Sequence, residues 1–370
     1  MRTLILSANA GQGHNSCANA IREAFEAHGD FCAVEDVFGL ISRRLSESIA
    51  RNHEKTYRHK PKQSDASYRF LIRHPELFAK EKLVYQVMSI GRRQISRCIR
   101  EGGYDTVLCT HALAGMILTT VLHKERLPIK TAFIATDYAC SPGVNGTELD
   151  RYFIPHRMLI PLFEAAEVPS DSICVSGIPV HSAFQPTMDK ALARQRFHIQ
   201  PDHRHLLMMC GSMGCGPIPQ LLRRIAADLP EEWEITVVCG TNTELKQQLE
   251  EEHHGHPAIH ILGYAKEMPL LLSATDLYLT KPGGLSTAEA SAAAIPMVFI
   301  DAVAGCEENN LRHFVQLGAA ITGDTVEDVA SACLNLMQNP SRLESMAETL
   351  RSQPAGTAAE IIWQEMNALA

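Results

Sequence analysis

Residues 280–290 read Thr280-Lys281-Pro282-Gly283-Gly284-Leu285-Ser286-Thr287-Ala288-Glu289-Ala290, directly after the apolar run Asp276-Leu277-Tyr278-Leu279. A short buried strand, two glycines free to take φ > 0 and a set of helix-starting residues predict a strand–loop–helix corner. Such a corner aims backbone N–H groups and the positive end of a helix dipole at one point, which suits a phosphate. A second glycine loop, Gly211-Ser212-Met213-Gly214-Cys215-Gly216, leaves the strand around Leu206–Cys210. Its glycines and serine hydroxyl suit the other half of a diphosphate cradle. A third, Gly11-Gln12-Gly13-His14, follows Leu4-Ile5-Leu6. There Gly11 and Gly13 allow a sharp turn and a close ligand, and His14 stands at the entrance of a helix striped by Ala18, Ile21 and Phe25. A helix N-terminus favours neutral imidazole, the state a general base needs. His14 can equally cap the helix or cover the loop.

Other polar groups end strands in the same manner. His111 closes Tyr104–His111, Asp137 follows Ile129–Thr136, and Asn242 follows Glu234–Cys239 through Gly240-Thr241. Loops at the carboxyl ends of parallel strands are where α/β ligand sites are built, although Asp137 can also serve as a loop cap. The strand Pro296–Asp301 leaves into Ala304-Gly305-Cys306-Glu307-Glu308-Asn309-Asn310, whose Glu307 and Asn310 suit sugar hydroxyls.

These loops require an α/β chain of repeated strand and helix. The first half repeats the unit at least five times; Pro179, Pro186 and Pro201 then punctuate a connector with a helical centre at Asp189–Phe197, and a second series begins at Leu206. A single helix is read over Leu334–Leu350 and another over Ala358–Leu369. The expected division is an N-terminal domain at 1–180, a linker at 181–204, a nucleotide-binding domain at 205–352, and a final helix in 353–370 packing back on the first domain. For 370 residues two domains are the natural count.

Hydrophobic content of 45% and charged content of 21% describe an ordinary globular chain. No apolar run approaches the ~20 residues of a membrane span, and the apolar start of the chain is too short for a signal peptide, so a cytoplasmic location is expected. The 11 cysteines include no C-x-x-C pair, and Cys17, Cys109, Cys174, Cys210 and Cys239 lie in apolar or glycine-flanked stretches, which predicts reduced, buried thiols. The histidines at 203, 205, 253, 254, 256 and 260 have loop-like neighbours and are read as solvated rather than metal-binding. Net charge is −8, yet residues 43–100 carry fifteen Lys/Arg against five Asp/Glu, a balance of +10 that leaves −18 for the remainder. A basic segment in an acidic chain asks for an anionic partner, nucleic acid or a membrane surface. Tyr57, Tyr68, Phe70, Leu71, Ile72, Leu77 and Phe78 among those cations suit a lipid interface, or the core face of a solvated helical hairpin.

Lys281-Pro282-Gly283-Gly284-Leu285-Ser286-Thr287-Ala288-Glu289, with Pro296 and Gly305–Asn310 behind it, resembles the nucleotide-binding domain of glycolipid glycosyltransferases. Ser7-Ala8 through Gly11-Gln12-Gly13-His14, Thr136-Asp137-Tyr138 and Gly177-Ile178-Pro179 fall in matching places, so the resemblance spans nearly the whole chain. The family comprises monogalactosyldiacylglycerol synthases and processive diacylglycerol glucosyltransferases, with the lipid II N-acetylglucosaminyltransferase as a distant relative. It implies two Rossmann-like domains facing across a cleft (GT-B) and inverting transfer of a hexose from a UDP-sugar to a diacylglycerol-type lipid. It further implies no metal or other cofactor, and an enzyme peripheral to the inner face of the cell membrane, bound through 43–100 to anionic lipid and not to nucleic acid. The resemblance also places His14 or Asp137 as base and Gly211, Ser212, Lys281, Gly283, Gly284 and Ser286 around the diphosphate. Glu289 falls on the ribose, and Tyr264 to Met268 against the uracil, while Asn242, Glu307 and Asn310 complete the donor side and Gly11, Gly13 and His111 the acceptor side. Ser286-x-x-Glu289 is also a capping-box pattern, which would make Glu289 structural. Two departures stand out: Cys306 replaces the usual glutamine of the sugar-facing loop, and Ala112 replaces a usual proline after His111. The rival readings are the same fold acting on a lipid-linked peptidoglycan precursor or a soluble aglycone, and a UDP-sugar sensor without transfer.

Overall fold

The computed structural model describes residues 1–9, 11–59, 70–71, 73–78, 89–184, 189–300, 305–353 and 356–369. Its strands are β1 (Arg2–Ser7), β2 (Phe31–Asp36), β3 (Thr106–Cys109), β4 (Lys130–Ile134), β5 (Arg151–Ile154), β6 (Ile173–Val175), β7 (Arg204–Met209), β8 (Trp233–Val238), β9 (Ile259–Leu262), β10 (Leu277–Thr280), β11 (Met297–Phe299) and β12 (Ala320–Thr322). Two six-stranded sheets result, ordered β2-β1-β3-β4-β5-β6 and β12-β11-β10-β7-β8-β9, with parallel pairing. The fold class read from sequence therefore holds. Parallel sheets are covered on both faces, which is why their strands are apolar runs rather than alternating ones.

By contacts the chain divides into Met1–His181 with Ala304–Cys306 and Gly356–Ala370, and Ser182–Val303 with Glu307–Ala355. In the first unit Leu4, Leu6, Val107 and Phe133 face one core, while Ile5, Leu108, Ala132 and Ile134 face another. The second of these cores is closed by two helices, Gln12–Ala27 and Ala358–Ala368. Ile362 and Met366 are buried among Cys17, Ile21 and Phe25. Trp363 stacks on His28 with ring centroids 3.5 Å apart, and its Nε1–H donates to Asp30 Oδ2 at 2.7 Å. In the second unit β7 and β8 bury Leu206, Met208, Trp233 and Ile235 against Ile218, Leu221 and Ile225 of the helix Ile218–Ala227. Residues 189–204, within the stretch read as a linker, are folded onto this unit: Asp189 caps the helix Lys190–Arg196, and Lys190 and Arg194 both hold Asp276, at 2.6 and 2.7 Å.

Several local expectations change. The helix read over Leu334–Leu350 is two, Val326–Met337 and Pro340–Arg351, because proline takes the first helical position and Asn339 Oδ1 accepts the Arg342 N–H at 3.1 Å. Residues 31–41, whose run Cys32-Ala33-Val34-Glu35-Asp36-Val37 reads as one more strand, divide into β2 and a short helix, Val37–Ile41, since the Asp36 carboxylate takes the N–H groups of Phe38 and Gly39. Strand β12 was not read from the sequence. His205 is not solvated: it is fully buried in β7 between Thr236 (2.8 Å) and Thr275 (3.2 Å), and burial pushes its pKa down to about 3. His203 and His260 both engage the buried Glu234, at 3.0 and 2.8 Å. All eleven cysteines are free thiols.

Candidate functional site

In an open parallel sheet, ligands bind where neighbouring strands send their connections to opposite sides. In the second sheet that point lies between β7, whose successors run to β8 and β9, and β10, whose successors run to β11 and β12. Met209 pairs with Thr280, so the Gly211–Gly216 and Lys281–Gly283 loops leave adjacent strands at one level. Chain order alone separates them by some seventy residues.

The first loop is shaped by backbone contact. Gly214 and Gly240 have φ of +58° and +59°, and a Cβ on either would lie 2.1 Å from a carbonyl oxygen, of Cys239 and Ser212 respectively. Only glycine permits that approach. Thr241 N–H donates to the Ser212 carbonyl at 2.9 Å. Asn242, placed on the donor side from sequence, donates to the Gly214 carbonyl at 3.1 Å and caps its own helix through Leu245 N–H at 3.0 Å. Its side chain braces the loop.

The second loop differs from its sequence reading in one respect. Gly283 has φ −70° and ψ 142°, and Gly284 begins the helix Gly284–Ala292, so neither glycine uses the left-handed region. A Cβ at Gly283 would meet nothing within 4 Å. The position thus faces open space and makes no conformational demand of its own. Among the described residues no side chain caps this helix, whose first backbone bond runs from Thr287 N–H to Gly283 O at 3.0 Å. The N–H groups of Gly284, Leu285 and Ser286 precede that bond. Asn310, fully buried on the helix Cys306–Leu317, donates to the Pro282 carbonyl at 2.9 Å and fixes the corner from behind.

With Gly283 as N-cap, Ser286 lies in the first turn and Glu289 in the second, so the capping-box reading fails. Ser286 sits beside the buried Tyr278 phenol. Glu289 has no hydrogen-bond partner among the described residues, and burial pushes its pKa up to about 8. Lys281 is half-buried, without an ion-pair partner among the described residues, and its Cε lies 3.8 Å from where a Gly216 Cβ would stand. A lysine held against one glycine loop and rooted in the other is the natural counter-charge for a phosphate between them. Tyr264 is exposed, Met268 opens the helix Met268–Ser273, and Cys306 and Glu307 open theirs half-buried.

In the first sheet the corresponding point lies between β1 and β3, where Leu6 pairs with Cys109. Gly11, at φ 103°, is the N-cap of Gln12–Ala27, and Gly13 and His14 lie in its first turn. His14 Nδ1 is 2.7 Å from the Thr110 carbonyl and 3.3 Å from Thr136 Oγ1. A carbonyl only accepts, so Nδ1 carries the hydrogen and the neutral ring has its lone pair on Nε2. His111 is the N-cap of the helix Ala112–Glu125, its Nδ1 accepting Leu113 N–H at 3.1 Å. The two rings meet edge to face with centroids 4.8 Å apart. Asp137 follows Thr136 in the loop after β4, half-buried. A polar chain that the sequence reading missed holds the His14 loop: Ser7 Oγ donates to Asn15 Oδ1 (2.6 Å), Asn15 Nδ2 to Asn9 Oδ1 (2.8 Å), and Asn9 Nδ2 to Asp36 Oδ2 (3.1 Å). Two asparagines within eight residues of a strand end were its only signal.

The basic segment 43–100 is described in part, and Tyr68 and Ile72 lie outside the described residues. Leu45, Phe70 and Ile90 are exposed there. Phe78 is not available to a lipid surface: it is buried, packed against the turn at Gly143–Gly146. Among the described residues no helix is long and apolar enough to cross a membrane.

The pattern that defines the monogalactosyldiacylglycerol (MGDG) synthase family matches residues 14–180, and that of the glycosyltransferase family 28 C-terminal domain matches residues 205–361. The chain is 26% identical over 371 residues to a processive diacylglycerol beta-glucosyltransferase of Bacillus pumilus (strain SAFR-032), covering 99% of this chain and 94% of that one. With a protein of the same description from Staphylococcus carnosus (strain TM300) the identity is 27% over 358 residues, covering 95% and 88%. Among solved structures, Acinetobacter baumannii MurG superimposes with a TM-score of 0.66 at 15% identity, over 100% of this chain and 99% of that one. UDP-GlcNAc 2-epimerase from Neisseria meningitidis bound to UDP-GlcNAc does so with 0.64 at 14% identity, over 99% and 100%. These likenesses establish a two-domain α/β fold of the GT-B kind.

Proposed function

We propose, for a chain that belongs to the glycosyltransferase family of monogalactosyldiacylglycerol synthases and processive diacylglycerol glucosyltransferases, that it transfers a hexose from a UDP-sugar to the hydroxyl of a diacylglycerol-type lipid, with inversion at the sugar carbon. One observation supports the donor half above the rest. Among the described residues, the β7/β10 switch point holds a helix N-terminus without a side-chain cap, a lysine without an ion-pair partner and a desolvated carboxyl without a hydrogen-bond donor, and a nucleoside diphosphate would partner all three. The diphosphate lies on the Gly284–Ser286 N–H groups with Ser212 and Lys281, and Glu289 receives the ribose hydroxyls.

In the reaction His14 Nε2 takes the proton of the acceptor hydroxyl as that oxygen attacks the anomeric carbon, and UDP leaves with its new charge held by the same N–H groups. The 2.7 Å bond to the Thr110 carbonyl keeps His14 in the tautomer this step needs and stabilises the imidazolium formed. Asp137 orients the acceptor. The exposed Leu45, Phe70 and Ile90 among the cations of 43–100 serve as the contact with anionic lipid on the cytoplasmic face of the membrane.

The test is direct: purified protein with radiolabelled UDP-glucose or UDP-galactose and vesicles holding diacylglycerol and an anionic phospholipid should yield labelled glycolipid with one of the donors. Failure to label lipid from either donor sinks the reading. Gly283→Ala adds a finer check. Its backbone angles suit alanine and its Cβ meets no protein atom, so the melting temperature should stay within about 2 °C, a change of ~0.5 kcal/mol or less. The methyl group instead occupies the face assigned to the diphosphate, and KM for the donor should rise about tenfold or more in steady-state kinetics.

A further inference from the structure

A cavity of about 760 Å³ lies at the amino ends of the second sheet, with a volume typical of small-molecule sites. Arg204 opens β7, and Asp276 and Pro296 immediately precede the neighbouring β10 and β11; all three border it. The Gly211–Gly216 and Lys281–Gly283 loops leave the opposite, carboxyl ends of these strands, and every lining residue of the cavity belongs to the second unit. Part of the lining is one face of the helix Pro340–Arg351. Met346 and Leu350 are buried on its far side, whereas Ser341, Ser345 and Glu348, spaced by four and three residues, border the cavity. An apolar part is the turn 293–296, which closes the helix Gly284–Ala292 through Ala294 N–H to Ser291 O (3.1 Å) and Ile295 N–H to Ala290 O (2.9 Å). Ala294 stands there at φ 55°, a left-handed position that glycine ordinarily fills. Such outliers gather at ligand sites.

The charges around the cavity cancel except for two. Lys190 holds Asp276 at 2.6 Å, and Arg351 pairs with Glu344. Among the described residues Arg204 and Glu348 have no ion-pair partner, and the hydroxyls of Ser341 and Ser345 make no hydrogen bond. Arg204 is half-buried, which steadies a guanidinium fork suited to a phosphate. Asp276 also takes the His205 N–H at 2.7 Å, so Lys190 is held beside the start of β7. We infer that this cavity binds a hexose monophosphate, with the phosphate on Arg204 beside Lys190 and the sugar hydroxyls on Ser341, Ser345 and Glu348. Two hydroxyls and a carboxylate in a row along one helix face match the successive hydroxyls of a sugar ring, whereas a single ammonium group would use the carboxylate alone. The C–H face of the ring suits Ala293, Ala294 and Pro296. This site is separate from the proposed nucleotide site and does not depend on the transfer reaction.

Calorimetric titration of the full chain, with and without saturating UDP, tests this with glucose 1-phosphate and glucose 6-phosphate as probes and with glucose and inorganic phosphate as controls. At least one hexose phosphate should bind one-to-one in the presence of UDP, about tenfold or more tightly than either control. Arg204→Gln should weaken that binding about tenfold and Glu348→Gln about threefold, with UDP affinity and melting temperature unchanged. Glu348 is exposed, so its variant keeps the test open should Arg204→Gln lose its fold. The inference is overturned by no binding of either hexose phosphate, by binding that UDP abolishes, by inorganic phosphate binding as tightly as the sugar phosphates, or by unaltered affinity in the folded variants. UDP titrated alone reports on the nucleotide site: its failure to bind sinks that reading and leaves the hexose phosphate result standing.

Discussion

Replacing His14 by alanine should lower kcat by about 10³-fold, within the range general-base catalysis supplies, and leave UDP affinity unchanged. The separation follows from position. His14 belongs to the loop after β1, whereas the groups assigned to the diphosphate and ribose all leave β7 and β10 or lie on the helix Gly284–Ala292. Single-turnover rates and calorimetric UDP titration measure the two quantities. A residual rate within threefold of wild type removes His14 from the mechanism and passes the role to Asp137. Melting should change little, because His14 is half-buried on the first turn of its helix and its loop retains the Ser7–Asn15–Asn9–Asp36 chain.

Glu289→Gln should weaken UDP binding about tenfold and, at high pH, stabilise the fold. Both effects come from a carboxyl that burial pushes up to about 8 and that has no donor among the described residues. Its folded pKa lies above the unfolded value of ~4.3, so the folded state holds an extra proton between those limits and stability falls as pH rises through them. The cost is complete above pH ~8 and absent below ~4. Discounted for partial solvation, glutamine should recover on the order of 1–2 kcal/mol at pH 9, seen as a melting temperature higher by about 3–6 °C, and nothing at pH 4. Ribose hydroxyls favour the carboxylate, so UDP affinity of the wild type should climb from pH 6 to 8.5 with release of a proton, while the glutamine variant stays flat. A variant that binds UDP normally leaves Glu289 without a ligand role, and wild-type affinity independent of pH contradicts a carboxyl that loses its proton on binding.

The sequence reading succeeds where the pattern is set by burial. Strands such as Leu4-Ile5-Leu6 and Leu277-Tyr278-Leu279 are covered on both faces, and glycine loops follow them, so the class of fold and the three loops could be read directly. Strand β12 could not, because three residues with one large apolar side chain carry no period. Sheet order is also invisible in a list of strands: that Gly211 and Gly283 share a level depends on β7 pairing with β10. Roles within the loops blur for a related reason. Asn242 and Asn310 were read as ligand contacts from their chemistry, and each also donates to a backbone carbonyl, of Gly214 and Pro282 respectively. An amide reads alike whether its partner is a sugar or a backbone. Gly283 stands at the expected strand–helix corner, in open space and not in a left-handed turn.

The helix Ala358–Ala368 sets an order of events during synthesis. Ile5, Cys17, Ile21 and Phe25 are made early, but the face they share is covered by Ile362 and Met366. A ribosome that has released the whole of β1–β6 therefore presents an unfinished apolar surface, and it stays unfinished while β7–β12 are translated. The second sheet, whose last strand ends at Thr322, has its complete set before that cover emerges. The half that carries His14 is begun first and finished last, against the usual N-terminal-first sequence. A released chain that ended at Arg351 would hold every strand of the second sheet and a first sheet whose Ile5, Cys17, Ile21 and Phe25 face is still uncovered.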